Sequence, residues 1–339
     1  MTLTQTAIFT RRFIIGFIIF SLASITGYIG YRIWHANYQA SLPPQEEKPD
    51  TNFGVLPLPD LPPTKVASEK FTYSIDTTTG GLPQLGKVIK VYFIPHASTT
   101  LLASEKVNSF ANKFNINTAP EIISETKYRY KQDDITLTVE LDTGNFIYES
   151  NSTPSGQSLD EDAKLVSDFK NFLSRIGVLN SDLQNDREKV TLLKFDGSQY
   201  VSATSRSEAQ AARISIWPND LDKLPIVTQD FNQSLIWAEV NSSSKNMETY
   251  RRLSFTYWPI ELTTSATYPL KTPAEAFDEL KSGKGTIIAE PAGNQVSITS
   301  VYLAYFESEK YTPYLQPVFV FEGSGFTAFV PAISNQLLQ

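Results

Sequence analysis

Between Arg12 and Arg32 the chain carries no charged residue. The uncharged run from Phe13 to Tyr31 is about 19 residues, which at ~1.5 Å each reach ~29 Å, the hydrocarbon thickness of a bilayer. The pattern predicts a transmembrane helix over 13–34. Beyond Ser68 the periodicity becomes that of a water-soluble protein. Phe71–Ile75 and Val88–Ile94 read as strands. Val107, Phe110, Ala111 and Phe114 form the apolar stripe of a short helix, with Ser104 placed as its N-cap. A hairpin follows. Ile135, Leu137, Val139 and Leu141 point one way and Thr136, Thr138 and Glu140 the other; Asp142-Thr143-Gly144-Asn145 turns and Phe146-Ile147-Tyr148 returns. After the polar run 151–158, Asp160, Glu161 and Asp162 open a stronger helix with Val166, Phe169, Phe172, Leu173 and Ile176 on one stripe and Gly177 at its end. Strand-like runs lie near Thr191–Phe195, Arg213–Trp217, Leu235–Val240 and Leu253–Trp258. Thr272, Pro273 and Glu275 spell a capped helix start, with Gly283 past its end. Ile298–Tyr305, Leu315–Phe321 and Phe326–Val330 complete the strands.

Helices alternate with runs of antiparallel strands about three times, without βαβ alternation, so the expected class is α+β behind an N-terminal transmembrane helix. The expected regions are a cytoplasmic tail (1–12), the anchor (13–34), a Pro-rich linker (35–68), a first α+β domain (69–150) and a second (158–334). The last reads as one domain or as two units, 158–265 and 266–334. Pro43, Pro44, Pro49, Pro57, Pro59, Pro62 and Pro63 exclude helix and central strand from the linker and favour an extended spacer.

Two passages resemble a known family. The helix around Phe110 with Leu137–Phe146 looks like the end of a PepSY-like module, with its strand, Asp-x-x-Gly type turn and return strand. Tyr268–Phe277, Val301–Tyr305 and Tyr314–Phe321 resemble the C-terminal part of the YycH/YycI proteins of Gram-positive bacteria. The resemblance implies a single-pass protein whose extracytoplasmic domain consists of tandem PepSY-like units and which regulates a sensor histidine kinase, partly through its membrane helix. It brings no catalytic residues with it.

Charge sets the orientation. Arg11 and Arg12 precede the apolar run, while Glu46, Glu47 and Asp50 outweigh Lys48 after it, so the N-terminus is expected in the cytoplasm and the main domain outside. Ser21-Leu22-Ala23 has the form of a signal-peptide cleavage site, but apolar residues continue through Ile25, Tyr28 and Ile29, which favours an uncleaved anchor at the cell membrane. Gly16, Ala23, Gly27 and Gly30 share one helical face, where small residues admit a second membrane helix. The expected partners are the membrane, a protein in or near it, and a second copy of the chain. A net charge of −7 argues against nucleic acid. With no cysteine, thiol chemistry and zinc–thiolate sites are excluded, and a disulfide-free exported domain fits a bacterial envelope.

Candidate chemistry is sparse. The two histidines, His35 and His96, have no second histidine at ligand spacing. No Ser/His/Asp arrangement, phosphate-binding loop or dinucleotide fingerprint is present. Asp133-Asp134 reads as a solvated turn, and Asp160-Glu161-Asp162 as complementing a helix dipole. Arg251-Arg252 reads either as an anion-binding pair or as charges on an edge strand. Trp217-Pro218 and Trp258-Pro259 read as packing aromatics, or as a platform for glycan if exposed. The expectation is a non-enzymatic regulatory protein that needs no cofactor or metal and acts by protein contact. The alternatives are a glycan-binding envelope module and a carboxylate-dependent hydrolase, since two carboxylates suffice for glycoside hydrolysis.

Overall fold

The computed structural model describes residues 16–17, 20–35, 48–64, 66–151, 159–241 and 250–339. The chain separates into two compact units, Met1–Glu47 and Lys48–Gln339.

In the first unit, residues 20–35 form a helix, α1. Its apolar side chains are exposed on every face, from Phe20 and Leu22 through Tyr28 and Ile29 to Trp34. Among the described residues no helix is long and apolar enough to cross a membrane. Residues 13–15 and 18–19 of the expected anchor, and the expected tail 1–12, lie outside the described residues.

The second unit is built on two sheets. One is antiparallel throughout and has nine strands in the order β3 (Glu121–Ser124), β4 (Lys127–Gln132), β5 (Ile135–Glu140), β6 (Phe146–Ser150), β12 (Tyr250–Phe255), β11 (Ile236–Val240), β9 (Ala211–Ile216), β7 (Glu188–Phe195) and β8 (Tyr200–Ser202). One face is covered by α2 (Ala103–Asn112) and α3 (Asp162–Ile176). Val107, Ala111 and Phe114 meet Phe169, Phe172 and Leu173 over Leu137, Val139, Tyr148 and Leu253. Alternation explains the strands: Leu137 and Val139 point to the helices, and Thr136 and Thr138 stay half-exposed.

The other sheet has eight strands. Its spine is β15 (Gln295–Phe306), β16 (Tyr314–Gly323) and β17 (Phe326–Pro331), extended by β14 (Thr286–Ala289). β2 (Val88–Phe93) pairs with both β13 (Glu261–Pro269) and β16. β1 (Thr72–Ile75) and β10 (Ile226–Val227) join β15 in parallel, where antiparallel pairing was expected throughout. Helix α4 (Pro273–Lys281) packs Ala276 and Leu280 with Phe319, Phe321, Ala328 and Val330. The opposite side chains of β16, Val318 and Val320, pack with Phe306, Phe329 and Leu61. Burial on both faces is why β16 reads as a continuous apolar run.

The sheets cross the boundary expected at 150–158. β1 and β2, from the expected first domain, pair with β13, β15 and β16, while β3–β6 join β12 and its neighbours. Nor do three helix-on-sheet units repeat, because α2 and α3 share one sheet and one core. The linker also differs from the expected free spacer. From Lys48 onward it belongs to the folded unit, with Leu56 fully buried. The Thr272–Glu275 capping box of α4 is formed in both directions. Ser104 is not a cap: the N-cap of α2 is Leu102, and the Ser104 hydroxyl lies 3.0 Å from the Tyr128 hydroxyl.

Candidate functional site

A cleft of about 530 Å³ opens where the hairpin end of the nine-stranded sheet faces loops of the eight-stranded one. Its first wall is local in sequence. Lys127 and Glu140 are register partners across β4 and β5, so their side chains share a face and form an ion pair at 3.1 Å. The following turn presents Asp142, Thr143 and Asn145. The Thr143 hydroxyl donates to Glu140 Oε2 at 2.9 Å and accepts from the Asn145 N–H at 3.1 Å. Asn145 Oδ1 accepts the Tyr257 N–H at 2.9 Å, and its buried Nδ2 finds no hydrogen-bond partner among the described residues.

The second wall comes from three distant segments: His96 after β2, Trp258 between β12 and β13, and Glu309–Tyr311 between β15 and β16. His96 Nε2 lies 3.8 Å from Asp142 Oδ2, and its ring meets the Tyr311 ring edge-on at 4.6 Å. The Tyr311 hydroxyl donates to the Ile94 carbonyl at 2.8 Å, and burial raises its pKa. Trp258 is buried, donates its indole N–H to the Ser308 carbonyl at 2.8 Å and packs against Tyr311. Glu309 accepts from Gln229 at 2.6 Å. The cleft can therefore offer both charges, hydroxyls and one aromatic face to a polar ligand.

Glu307 is almost wholly buried on the same loop. Burial pushes its carboxyl up to about 8; Asp182 adds to the rise and Arg187 opposes it. The Tyr257 hydroxyl donates to Asp182 Oδ2 at 2.9 Å, and burial followed by that acidic partner raises the tyrosine's pKa.

The residues singled out from sequence are scattered. Gly16, Ala23, Gly27 and Gly30 are exposed on their own helical unit, and a Cβ at any of the three glycines would meet nothing within 4 Å. Arg251 and Arg252 lie on a central strand, not an edge. A register shift opposite Glu239 and Val240 makes a bulge there, so both arginines reach the sheet face away from the helices. Buried Glu239 takes Arg251 and, at 2.7 Å, Arg213; Arg252 pairs with Glu149 at 3.3 Å. The anion these arginines hold is supplied by the chain itself. Asp160 binds Lys164 and Asp162 binds Arg206 at the start of α3. Trp217 is half-buried at the end of β9. Among the described residues no group of three or more His, Asp or Glu is placed to hold a metal ion. Tyr311, Lys127 and Glu140 were not legible as a site, because no motif joins segments so far apart.

No known protein family matches the chain, and no curated protein matches it in sequence. Among solved structures it is similar to an uncharacterized protein from Eubacterium rectale ATCC 33656, with 14% identity, a TM-score of 0.36 and coverage of 72% of this chain and 81% of that one. It is also similar to the Bacillus megaterium YpeB C-terminal domain, with 11% identity, a TM-score of 0.31 and coverage of 71% and 95%.

Proposed function

We propose that this chain is a single-pass membrane protein whose main domain lies outside the cytoplasm and acts by protein contact. The observation that carries the reading is α1, whose aromatic and aliphatic side chains are uncovered on every face. A helix apolar all round belongs in a protein core or a bilayer. The uncharged run continues on its N-terminal side to Phe13. Positive residues before the run and acidic ones after it put the domain outside. Contact is favoured over chemistry because two of the cleft's carboxylates face basic partners, Glu140 with Lys127 at 3.1 Å and Asp142 with His96 at 3.8 Å. It is favoured over glycan binding because Trp258 is turned into the body. The resemblance to PepSY-like YycH/YycI proteins extends the proposal to regulation of an envelope sensor kinase, with the face of Gly16, Ala23, Gly27 and Gly30 meeting a partner helix or a second copy.

The test is crosslinking in native membranes, alongside a reporter active only outside the cytoplasm fused after Gln339. The reporter should be active and the protein should retain Phe13–Tyr31. Ala23→Leu with Gly27→Leu keeps the span apolar but adds bulk, so crosslinking should fall while the domain melts unchanged. A mature N-terminus at Ser24 defeats the anchor. Unchanged crosslinking defeats the helix contact. A well-folded Asp→Asn or Glu→Gln variant of the domain that loses function with crosslinking intact promotes the hydrolase.

A further inference from the structure

The stretch leading from the N-terminal unit into the domain lies along the surface as a strap, bonded to the domain by Thr51, Gly54 and Leu58 as well as by the contacts below. Asp50 N–H donates to Thr267 Oγ1 at 3.0 Å, and Thr267 N–H returns to Asp50 Oδ1 at 2.8 Å. Leu56 N–H donates to the Leu337 carbonyl at 2.8 Å, and Gln339 N–H to the Leu56 carbonyl at 2.9 Å. Leu56 is the plug, fully buried among Val91, Ala266, Tyr268 and Ile333. Its neighbours Gly54, Val55, Pro57 and Leu58 are exposed. Phe53, its ring 5.0 Å from that of Tyr314, packs beside Leu56, and Leu61 packs at the far end; a surface segment anchored at a few such points opens ahead of the core strands.

The far end of the strap touches the cleft's wall from behind. Ser308 Oγ donates to Asp60 Oδ2 at 2.9 Å, while the Ser308 carbonyl takes the indole N–H of Trp258. Gln316 Nε2 donates to the Pro57 carbonyl at 2.8 Å. A second cavity of about 140 Å³ lies between Pro57–Asp60 and the 306–316 segment, and Tyr311 lines both it and the cleft. The loop 307–313 is thus held between strap and cleft, and one aromatic ring is a wall of both.

We propose that residues 48–61 are a latch: the docked strap holds loop 307–313 in the position that shapes the cleft, and release of the strap loosens the Tyr311 wall. Coupling of this kind is reciprocal, so a ligand that favours the shaped cleft tightens the strap, and a strap pulled away weakens that ligand. The response to a pull rests on the membrane reading above. The coupling of strap to cleft does not, and it would survive a cytoplasmic location of the domain.

Amide hydrogen exchange on the full chain in detergent tests the coupling without a ligand. Leu56→Asp puts a charge into the apolar pocket and should free the strap. Asp60 is exposed, so Asp60→Ala removes only the fastening to Ser308. In Leu56→Asp, exchange should rise by about tenfold or more at 50–58 and also at 307–313, with β4–β6 unchanged. In Asp60→Ala, exchange at 307–313 should rise roughly fivefold, the effect of one lost hydrogen bond. A freed 50–58 beside a loop 307–313 that exchanges as in wild type overturns the latch. If Leu56→Asp also speeds β4–β6, the Asp60→Ala result decides alone, and an unchanged loop there overturns the proposal.

Discussion

Glu307 shows how much one side chain can owe to its surroundings. It follows β15, its N–H is bonded to the Val227 carbonyl at 2.8 Å, and burial raises its carboxyl from the ordinary glutamate value of 4.5 to about 8. The folded chain therefore binds a proton there that the unfolded chain has already released. The stability tied to this group is full below pH about 4.5, declines as pH rises through the window up to about 8, and leaves a constant penalty above it. Glu307→Gln keeps the shape and abolishes the titration. The variant should match wild type near pH 4.5 and exceed it by on the order of a few kcal/mol near pH 9. Urea melts of both proteins across that range measure the difference; a difference that stays flat with pH would refute burial as the cause. Nothing around Glu307 in the sequence marks it, because its environment comes from Asp182 and Arg187, more than a hundred residues away.

Where a whole element is local, its sequence is a sound guide. The hairpin of β5 and β6 alternates as expected, and its turn carries Gly144 at φ +74°. A Cβ at Gly144 would meet nothing within 4 Å, so a substitution there is opposed by backbone strain alone. Gly144→Val should cost roughly 1–2 kcal/mol, because a β-branched residue resists positive φ. Chemical denaturation of the protein checks this, and a change within about 0.3 kcal/mol would count against the turn geometry. The α4 capping box is local in the same sense. Arg251 and Arg252 are the contrary case. Strict alternation sends adjacent residues to opposite faces, and only the bulge against β11 puts Arg251 on Glu239 and Arg252 over Trp237 on the same face. Ser104 is not the cap because the helix begins one residue before it, at Ala103, which places Ser104 inside the first turn with its hydroxyl beside that of Tyr128.

At the scale of the molecule, the two sheets interleave the chain. The stretch from β1 to β6 contributes two strands to one sheet and four to the other, and its helix α2 is buried against α3. Residues 69–150 alone would leave β1 and β2 unpaired and the side of α2 that meets α3 open. This fragment should show no cooperative unfolding transition, whereas residues 48–339 should melt as one unit. Circular dichroism and one-dimensional proton spectra of the two distinguish the outcomes, and a cooperatively melting 69–150 fragment would restore the expected domain boundary.

The amino-acid order alone is enough for features that depend on neighbours along the chain. The strands with alternating faces, the Gly144 turn, the Gly177 end of α3, the Thr272 cap of α4 and the α+β class were all legible, since hydrophobic period and turn chemistry act over a few residues. So was the uncharged run at 13–31. The partners of β1 and β2, the docking of the strap, the parallel pairs on β15, the bulge at Arg251 and the cleft between Asp142 and Tyr311 were not. Each is set by which distant apolar surfaces bury one another. Many pairings satisfy the same local pattern, and the choice among them rests on the summed packing of a core that no single segment contains.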